Sequence, residues 1–249
     1  VSVGDLFVGA LIPGLILVAF YLLWILLVAR IRPQLAPAIA AEGASLPELF
    51  SALLPPFILI ALVLGSILLG AATPTEAAGV GAVGALLLAL QRRQMSWMKL
   101  HEIGLSTMRV TSMVFLILIG AAVFTLVFRG FGGEELVQGF FDHMNLGPQG
   151  AMLLVMLVIF LLGFILDFIE ITFVVVPIVG PILLAMGFDP IWFGIMLAVN
   201  LQTSFLTPPF GFALFYLRGV APPTLTTGSI YKGVIPFVVL QIGLLALLW

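Results

Sequence analysis

Two carboxylates, Asp167 and Glu170, are the charged side chains of a long apolar stretch, residues 151–186. An ionised carboxylate is costly in hydrocarbon, so an acidic residue inside a membrane segment is a candidate for ion or substrate contact. The three-residue spacing places both carboxylates near one face of a helix. We predict that Asp167, Glu170 and the neighbouring Thr172 contribute to such a site. The alternative is a hairpin tip at which the carboxylates reach water and cap Ile171 and Thr172.

A second group of polar side chains precedes two consecutive prolines. Its members are Asn200, Gln202, Thr203, Ser204 and Thr207, followed by Pro208, Pro209 and Gly211. Consecutive prolines remove two backbone donors and force extended geometry before them, so a helix through this point is interrupted. Interrupted helices in transporters expose carbonyl oxygens to sodium and helix N-termini to anionic substrates. The sequence therefore predicts an ion or substrate site, and hydrogen bonding between helices is the alternative explanation.

Other kinds of chemistry have little support in the sequence. It contains no cysteine and only two histidines, His101 and His143, which are far apart along the chain. This excludes thiolate chemistry and predicts no imidazole-ligated metal site. An intramembrane aspartyl protease needs two aspartates on separate helices, and Asp167 is the one deep aspartate. The net charge is −2, and the sequence has no basic patch of the kind that binds nucleic acid. We predict a protein that is not an enzyme and has no organic cofactor.

Composition predicts a membrane protein. Hydrophobic residues make up 63% of the chain and charged residues 8%, whereas about a quarter of the residues in soluble domains are charged. Apolar runs approach or exceed the ~20 residues needed to cross ~30 Å of hydrocarbon. Runs such as 151–166 do not alternate as the strands of a β-barrel would. The predicted fold class is an all-α polytopic membrane protein.

A hairpin and a broken helix are expected to position the polar groups. A continuous helix over 151–186 would be ~54 Å long at ~1.5 Å per residue, far longer than the bilayer is thick. We therefore predict a re-entrant hairpin broken at 166–170, with Pro177 and Pro181 weakening its second arm. A transmembrane helix over 191–217 is predicted to be broken at the proline pair.

The remaining elements follow from apolar runs and their charged ends. Predicted spans cover 6–31, 57–72, 77–90, 107–128 and 234–249, with an interfacial arm over 33–56, a short interfacial helix over 95–103, and a polar loop that contains Glu134, Glu135, Asp142 and His143. We group these elements into four segments: 1–56, a scaffold helix and arm; 57–106, a helix pair and interfacial helix; 107–217, a transport-type region with the hairpin and broken helix; and 218–249, a loop and final helix.

The distribution of charge predicts how the chain is oriented. Counting crossings places eight basic residues on one side, namely Arg30, Arg32, Arg92, Arg93, Lys99, Arg109, Arg218 and Lys232. Arg129 falls on the other side, together with Glu134, Glu135, Asp142 and Asp189. Basic residues are enriched in cytoplasmic loops. We therefore predict cytoplasmic basic loops, a periplasmic C-terminus and a hairpin entered from the outside.

The turn Thr73-Pro74-Thr75-Glu76 has the pattern of a helix start. Thr73 is predicted as the N-cap, with Pro74 at the first helical position and Glu76 at the third. Small residues flank this turn at Gly65, Ser66, Gly70, Gly79, Gly81 and Gly84. We interpret them as faces for close helix packing.

Three motifs carry a resemblance to a known family. Residues 70–79, Gly-Ala-Ala-Thr-Pro-Thr-Glu-Ala-Ala-Gly, resemble the Thr-Pro-Thr-Glu-Ala signature of the large membrane subunit of tripartite ATP-independent periplasmic (TRAP) transporters. Leu-Asp at 166–167, followed by prolines at 177 and 181, resembles that family's second hairpin. Residues 207–211, Thr-Pro-Pro-Phe-Gly, resemble its broken-helix motif. The form of 166–172 is most similar to the branch labelled mannitol/chloroaromatic.

The resemblance implies a sodium-driven elevator importer of an organic anion, typically a carboxylate, in a bacterial inner membrane. Its implied partners are a periplasmic substrate-binding protein and a small four-helix permease subunit. Thr207, Pro208 and Gly211 would lie at the sodium and substrate region, with sodium near Thr207 and Gly211. Asp167 would shape the hairpin tip.

The chain contains one hairpin and one proline-pair break, whereas family large subunits are inverted repeats with about twice this membrane content. It therefore resembles the C-terminal half, one repeat, and begins without methionine at Val1. We expect either part of a longer permease or a half-length relative. Two other functions stay open: a non-transporting membrane subunit that is a structural partner in a larger complex, and a proton-coupled carrier of another family using Asp167 and Glu170.

Overall fold

The structure, a computed structural model, describes residues 2–35, 45–208, 211–222 and 225–249. Ten helices account for most of these residues: α1 Val3–Ile31, α2 Leu46–Leu68, α3 Pro74–Gln91, α4 Trp97–Gly130, α5 Gly133–Met144, α6 Gly147–Leu162, α7 Phe168–Ala185, α8 Pro190–Leu206, α9 Phe212–Val220 and α10 Thr227–Leu248. Within the described residues there is no strand, and six helices are long and apolar enough to cross a membrane. This confirms an all-α polytopic membrane protein.

The chain forms two compact units. The first contains Val1–Ile12 and Leu22–Arg109, and the second contains Pro13–Tyr21 and Val110–Trp249. Both predicted breaks, in the hairpin and in the proline-pair helix, lie in the second unit. The four segments into which we grouped the sequence stay a prediction.

The second helix begins earlier than the sequence predicts. The span expected at 57–72 starts at Leu46 instead, so residues 46–56 of the predicted interfacial arm are continuous with it, whereas residues 33–35 form a short 3-10 helix after α1. Pro55 and Pro56 lie inside this helix without ending it. Pro56 cannot donate to the carbonyl of Ala52, four residues earlier. The Arg92 guanidinium donates to that carbonyl instead, over 3.3 Å. A donor from α3 thus replaces the missing backbone hydrogen bond.

The turn between α2 and α3 has the predicted capping arrangement. The backbone N–H of Thr73 donates to Glu76 Oε2 over 2.8 Å, and the backbone N–H of Glu76 donates to Thr73 Oγ1 over 3.3 Å. Pro74 occupies the first helical position. Gly70 supplies a positive φ of 67° where the chain leaves α2. The predicted role of residues 73–76 as a helix start is confirmed.

Glycines let α2 and α3 pack closely at one end of their contact. A Cβ at Gly84 would lie 2.3 Å from Leu59 Cδ1, and one at Gly81 would lie 3.2 Å from Val63 Cγ2. A Cβ at Gly65 or Gly79 would meet no atom within 4 Å. Of these four glycines, Gly81 and Gly84 therefore have the predicted packing role, and Gly65 and Gly79 do not.

We expect Gly84→Val to destabilise the α2–α3 pair, whereas Gly79→Val on the same helix is the matched control. Both substitutions carry the same change in helix propensity, but only the first adds bulk against Leu59. Overpacking of this kind costs about 1–3 kcal/mol. Thermal unfolding of the detergent-solubilised protein should show a lower midpoint for Gly84→Val than for Gly79→Val. Equal midpoints would contradict the close approach.

Two predictions are wrong: the short interfacial helix before the fourth span, and the polar loop after Arg129. The interfacial helix expected at 95–103 is the first part of α4, which continues to Gly130. The loop expected around residues 134–143 is the helix α5, which begins after Gly132 at φ 73°. Arg129 Nε donates to Glu134 Oε1 over 2.6 Å across this turn. Val137 and Phe141, one turn apart, pack on the core of the second unit, so burial of an apolar face stabilises α5.

The core of the second unit is formed by the hairpin helices α6 and α7 and by α8. Its largest fully buried apolar side chains are Met152, Ile159, Ile171, Leu183 and Met196. α5 and α6 meet at an angle of 118°. This core fixes the first hairpin arm against α8.

The last helix packs on α8 and begins at Thr227, earlier than the predicted 234. The Trp192 indole N–H donates to the Leu248 carbonyl over 2.8 Å. Leu244 is fully buried in a cluster with Leu17 of α1. α10 thus adds a third layer to the second unit.

Candidate functional site

The hairpin breaks close to the predicted position. α6 ends at Leu162, a turn follows, and α7 begins at Phe168 with Asp167 as its N-cap. Asp167 Oδ1 accepts a hydrogen bond from the backbone N–H of Phe168 over 2.8 Å. Its carbonyl accepts from the N–H of Ile171 over 3.1 Å. Asp167 and Glu170 are both partly buried. The carboxylate therefore caps Phe168 rather than Ile171 or Thr172.

The second hairpin arm is a helix with one widened turn. Residues Ile171–Val175 have π-helical hydrogen bonding, and the N–H of Val176 reaches back to the carbonyl of Ile171. Pro177 follows directly, without a backbone donor and with a ring that crowds the carbonyl four residues earlier. A π turn relieves such crowding, and π turns are frequent at functional sites. The widened turn thus precedes Pro177, and neither Pro177 nor Pro181 ends the helix.

The second predicted break, in the helix over 191–217, is confirmed. α8 ends at Leu206 and α9 begins at Phe212. Since Pro208 has no N–H, the carbonyl of Ser204 accepts from the N–H of Thr207 instead, over 3.1 Å. Pro209, also predicted to belong to the site, lies outside the described residues.

Gly211 is pressed against backbone carbonyls at this break. Its N–H donates to the carbonyl of Thr207 over 3.1 Å. A Cβ at this position would lie 2.4 Å from the Phe205 carbonyl oxygen and 3.1 Å from that of Thr207. The φ of −51° is accessible to any residue, so the need for glycine comes from the close approach. Two carbonyl oxygens therefore lie near one point beside Gly211.

The polar side chains of α8 have backbone carbonyls as partners. Asn200 is buried, and its Nδ2 donates to the Met156 carbonyl of α6 over 2.8 Å. The hydroxyls of Thr203, Ser204 and Thr207 donate to carbonyls of the preceding turn. Their acceptors and distances are Val199 at 2.7 Å, Leu201 at 2.8 Å and Thr203 at 2.8 Å. A hydroxyl oxygen can still accept a further hydrogen bond or coordinate an ion, so the predicted ion role of these residues stays a prediction.

The first hairpin arm also touches α8 through a glycine. A Cβ at Gly163, the C-cap of α6, would lie 2.1 Å from Ser204 Oγ and 2.7 Å from Ser204 Cβ. Ser204 is fully buried. Together with the Asn200 hydrogen bond, this contact fixes α6 on α8. Gly163 was missed by sequence reasoning, because one glycine in an apolar run gives no sign of what faces it.

A groove of about 700 Å³ separates the second hairpin arm from α8. We call it the hairpin groove; Phe168, Thr172 and Val176 line it from α7, and Leu201, Gln202 and Phe205 from α8. The rings of Phe168 and Phe205 lie 6.0 Å apart. The structure thus brings Thr172 together with Gln202.

Apart from Thr172 and Gln202, the site candidates in the described part of the chain are not among the residues that line the groove. Residues 73–76 belong to the first unit. Among the described residues, no three of the histidine and carboxylate side chains come close enough to hold a metal ion.

We expect Asn200→Leu to lower stability by about 1 kcal/mol, because it removes a buried hydrogen bond between two membrane helices. Gln202→Leu is the matched control, since Gln202 is exposed and has no hydrogen-bond partner in the described part of the chain. Thermal unfolding in detergent should separate the two variants. A midpoint for Asn200→Leu equal to that of Gln202→Leu would contradict this role.

Comparison with known proteins identifies the family. The whole chain, residues 1–249, matches the family described as "Tripartite ATP-independent periplasmic transporter, DctM component". It is 30% identical over 240 residues to the C4-dicarboxylate TRAP transporter large permease protein DctM of Pseudomonas aeruginosa, covering 96% of the chain and 56% of that protein. It is 30% identical over 250 residues to the sialic acid TRAP transporter large permease protein SiaM of Vibrio cholerae, covering 99% and 57%.

A third relative has a different named substrate. The 2,3-diketo-L-gulonate TRAP transporter large permease protein YiaN of Escherichia coli is 27% identical over 253 residues, covering 98% of the chain and 57% of that protein. The chain spans about half the length of these relatives. The match nevertheless extends over every predicted motif, and it confirms the resemblance. The chain belongs to the DctM family, the membrane components of tripartite ATP-independent periplasmic transporters.

Proposed function

We propose that the chain is the C-terminal half of the large permease subunit of a TRAP-type secondary transporter, which imports an organic acid anion of the carboxylate class. Import is driven by sodium, and the second unit moves as an elevator. The relatives support this class of substrate, because they are named for C4-dicarboxylates, sialic acid and 2,3-diketo-L-gulonate.

The observation that carries the proposal is the pair of broken elements in the second unit. The hairpin turn at Asp167 and the break before Gly211 interrupt two consecutive elements. Interrupted helices of this kind form the ion and substrate sites of secondary transporters. The carbonyls of Phe205 and Thr207, close to Gly211, supply oxygen ligands of the type that sodium prefers. Asp167 and Glu170 add negative charge at the hairpin tip.

The proposed partners follow from the family. A periplasmic substrate-binding protein delivers the anion, and a small four-helix subunit braces the large one in the inner membrane. The basic loops are cytoplasmic and the C-terminus is periplasmic. This orientation is supported by the eight basic residues that the crossings predicted from the sequence assign to one side.

Uptake into proteoliposomes that contain the complete transporter tests the proposal. With the binding protein and a radiolabelled organic acid outside, an inward sodium gradient should drive accumulation. Replacing sodium by potassium should abolish accumulation, and collapsing a pH gradient with a protonophore should leave it unchanged. Accumulation that follows the pH gradient and is lost in Asp167→Asn would instead indicate a proton-coupled carrier.

A second function predicted from the sequence stays open, and the coverage of 56–57% of the relatives' length does not decide between the two. On this alternative the chain is a half-length, non-transporting subunit that is a structural partner in a larger membrane complex. The intact mass of the purified polypeptide separates the two. A mass near 26.6 kDa supports the half-length subunit, and a mass of about twice that value supports a permease with two repeats.

A further inference from the structure

We propose that the hairpin groove binds the apolar body of the transported acid, and that Thr172 and Gln202 are its hydrogen-bonding residues. This inference rests on the proposed function and specifies the substrate class. It predicts acids with an unsubstituted aliphatic or aromatic body, and it predicts poor binding of polyhydroxylated acids.

The first argument is which polar groups are available to a ligand. Asn200, Thr203 and Ser204 are buried and donate to backbone carbonyls. Thr172 and Gln202 are exposed and line the groove from opposite walls. In the part of the chain that the structure describes, neither side chain has a hydrogen-bond partner. They are the polar side chains of this groove that a ligand can reach.

The second argument is where the groove lies. Phe168 follows Asp167 at the hairpin tip, and Phe205 precedes Thr207 at the helix break by two residues. Both phenylalanines line the groove, so one end of it adjoins both broken elements. A ligand whose body occupies the groove would therefore have its end at Phe168 and Phe205 beside the two breaks. Among the described residues, those that line the groove include no basic side chain, so the groove is suited to the uncharged part of the molecule.

The third argument is the number of hydrogen bonds the groove can supply. Its volume of about 700 Å³ lies within the range of small-molecule sites, which are mainly apolar with a few placed polar groups. A ligand with several hydroxyls would leave those that face the apolar wall of Val176, Leu197 and Leu201 without partners. Burying an unpaired polar group is costly. An apolar body meets no such cost and gains by leaving water.

Equilibrium binding to the complete transporter in nanodiscs, with saturating sodium, tests the proposal. Three probes are compared: phenylacetate, succinate and gluconate. We expect phenylacetate to bind at least about tenfold more tightly than gluconate, as expected when a site lacks partners for hydroxyls. Ala198→Phe, an exposed groove position on α8, should fill the groove and weaken phenylacetate binding by about tenfold or more.

Ala246→Phe is the matched control. Ala246 is an exposed alanine that lines a different groove, of about 500 Å³, between α6, α8 and α10. This variant should bind phenylacetate as the wild type does. Gln202→Leu and Thr172→Val give a second measurement that does not depend on added bulk, and each should weaken binding by about threefold to tenfold.

This sequence contains no cysteine, so an accessibility test requires cysteine replacement only in the rest of the complete transporter. In that background the thiol of Thr172→Cys should react with a water-soluble maleimide, and phenylacetate should slow that reaction. The thiol of Ala246→Cys should show no such protection. A Thr172→Cys thiol that is unreactive without ligand would indicate a groove filled by lipid or protein, and would overturn the proposal.

The measurements can contradict the groove assignment and the proposed function independently of each other. Phenylacetate binding that is unchanged in Ala198→Phe and Gln202→Leu overturns the groove assignment even if sodium-driven uptake of another acid is observed. Absence of sodium-driven uptake for every acid contradicts the proposed function, whereas the binding and maleimide measurements still decide whether the groove holds an apolar acid.

Discussion

The Gly163→Ala variant is expected to be strongly destabilised, by about 2–3 kcal/mol. Its new methyl group would lie 2.1 Å from Ser204 Oγ and 2.7 Å from Ser204 Cβ, and Ser204 is fully buried. The backbone of Gly163, at φ −64° and ψ −7°, accepts alanine without strain. At such a position the substitution would otherwise stabilise by about 0.4–1 kcal/mol. The steric effect is larger, so thermal unfolding in detergent should show a lower midpoint.

A compensating substitution distinguishes the contact from a general effect on α6. Ser204→Gly removes both atoms that the methyl group would meet, so Gly163→Ala/Ser204→Gly should regain most of the lost stability. Ser204→Gly alone costs about 1 kcal/mol in a helix. Gly243→Ala is the matched control, because a Cβ there meets no atom within 4 Å. Purely additive effects of the two substitutions would show that Gly163 and Ser204 are not in contact.

The breaks that matter for the candidate site could be predicted from local chemistry. Asp167 interrupts an apolar run that is too long for one span, and its carboxylate caps the next helix. At Pro208 the missing donor is replaced by the N–H of Thr207 in a tighter turn. In both cases the residues responsible lie within a few positions of the break. The sequence alone is therefore enough to predict where both breaks lie.

The same proline rule fails at Pro55 and Pro56, where the helix continues. The carbonyl of Ala52 obtains its donor from Arg92, forty residues further along the chain. A sequence-based prediction has no means of seeing that guanidinium. A proline pair thus predicts a missing donor, and the surrounding structure decides whether the helix breaks.

The sequence of α5 contains helix signals, but its polar composition led to the prediction of a loop. Glu134 and Glu135 lie in its first turn and His143 in its last, as the helix dipole favours. Val137 and Phe141 have the spacing of one buried face. The acidic composition suggested a loop, but the periodicity of two apolar residues was the better guide.

The partners of the polar residues on α8 could not be predicted, because they depend on what each face meets. Asn200 meets the Met156 carbonyl, 44 residues earlier, whereas Gln202 lies in the groove. They are two positions apart in sequence, and the turn of the helix directs them to different surroundings. The sequence predicted a polar cluster, and the packing divides it into residues that join helices and a residue available to a ligand.

Gly211→Ala is expected to reduce sodium-dependent uptake by more than about tenfold, because the methyl group would displace the oxygen ligands proposed for sodium. The added Cβ would lie 2.4 Å from the Phe205 carbonyl oxygen and 3.1 Å from that of Thr207. These are backbone atoms, so no side-chain rotation can relieve the contact, and the break itself must shift.

Gly219→Ala in α9 is the matched control, since a Cβ there meets nothing within 4 Å. Two measurements separate a local effect from unfolding: sodium-driven uptake in proteoliposomes, and the rise in unfolding temperature that sodium produces in detergent. A ligand that binds the folded state raises that temperature, so Gly211→Ala should lose the rise while remaining folded without sodium. If Gly211→Ala keeps both the sodium-induced rise and wild-type uptake, the carbonyls beside Gly211 are not sodium ligands, and the ion site must be sought at Asp167 and Glu170.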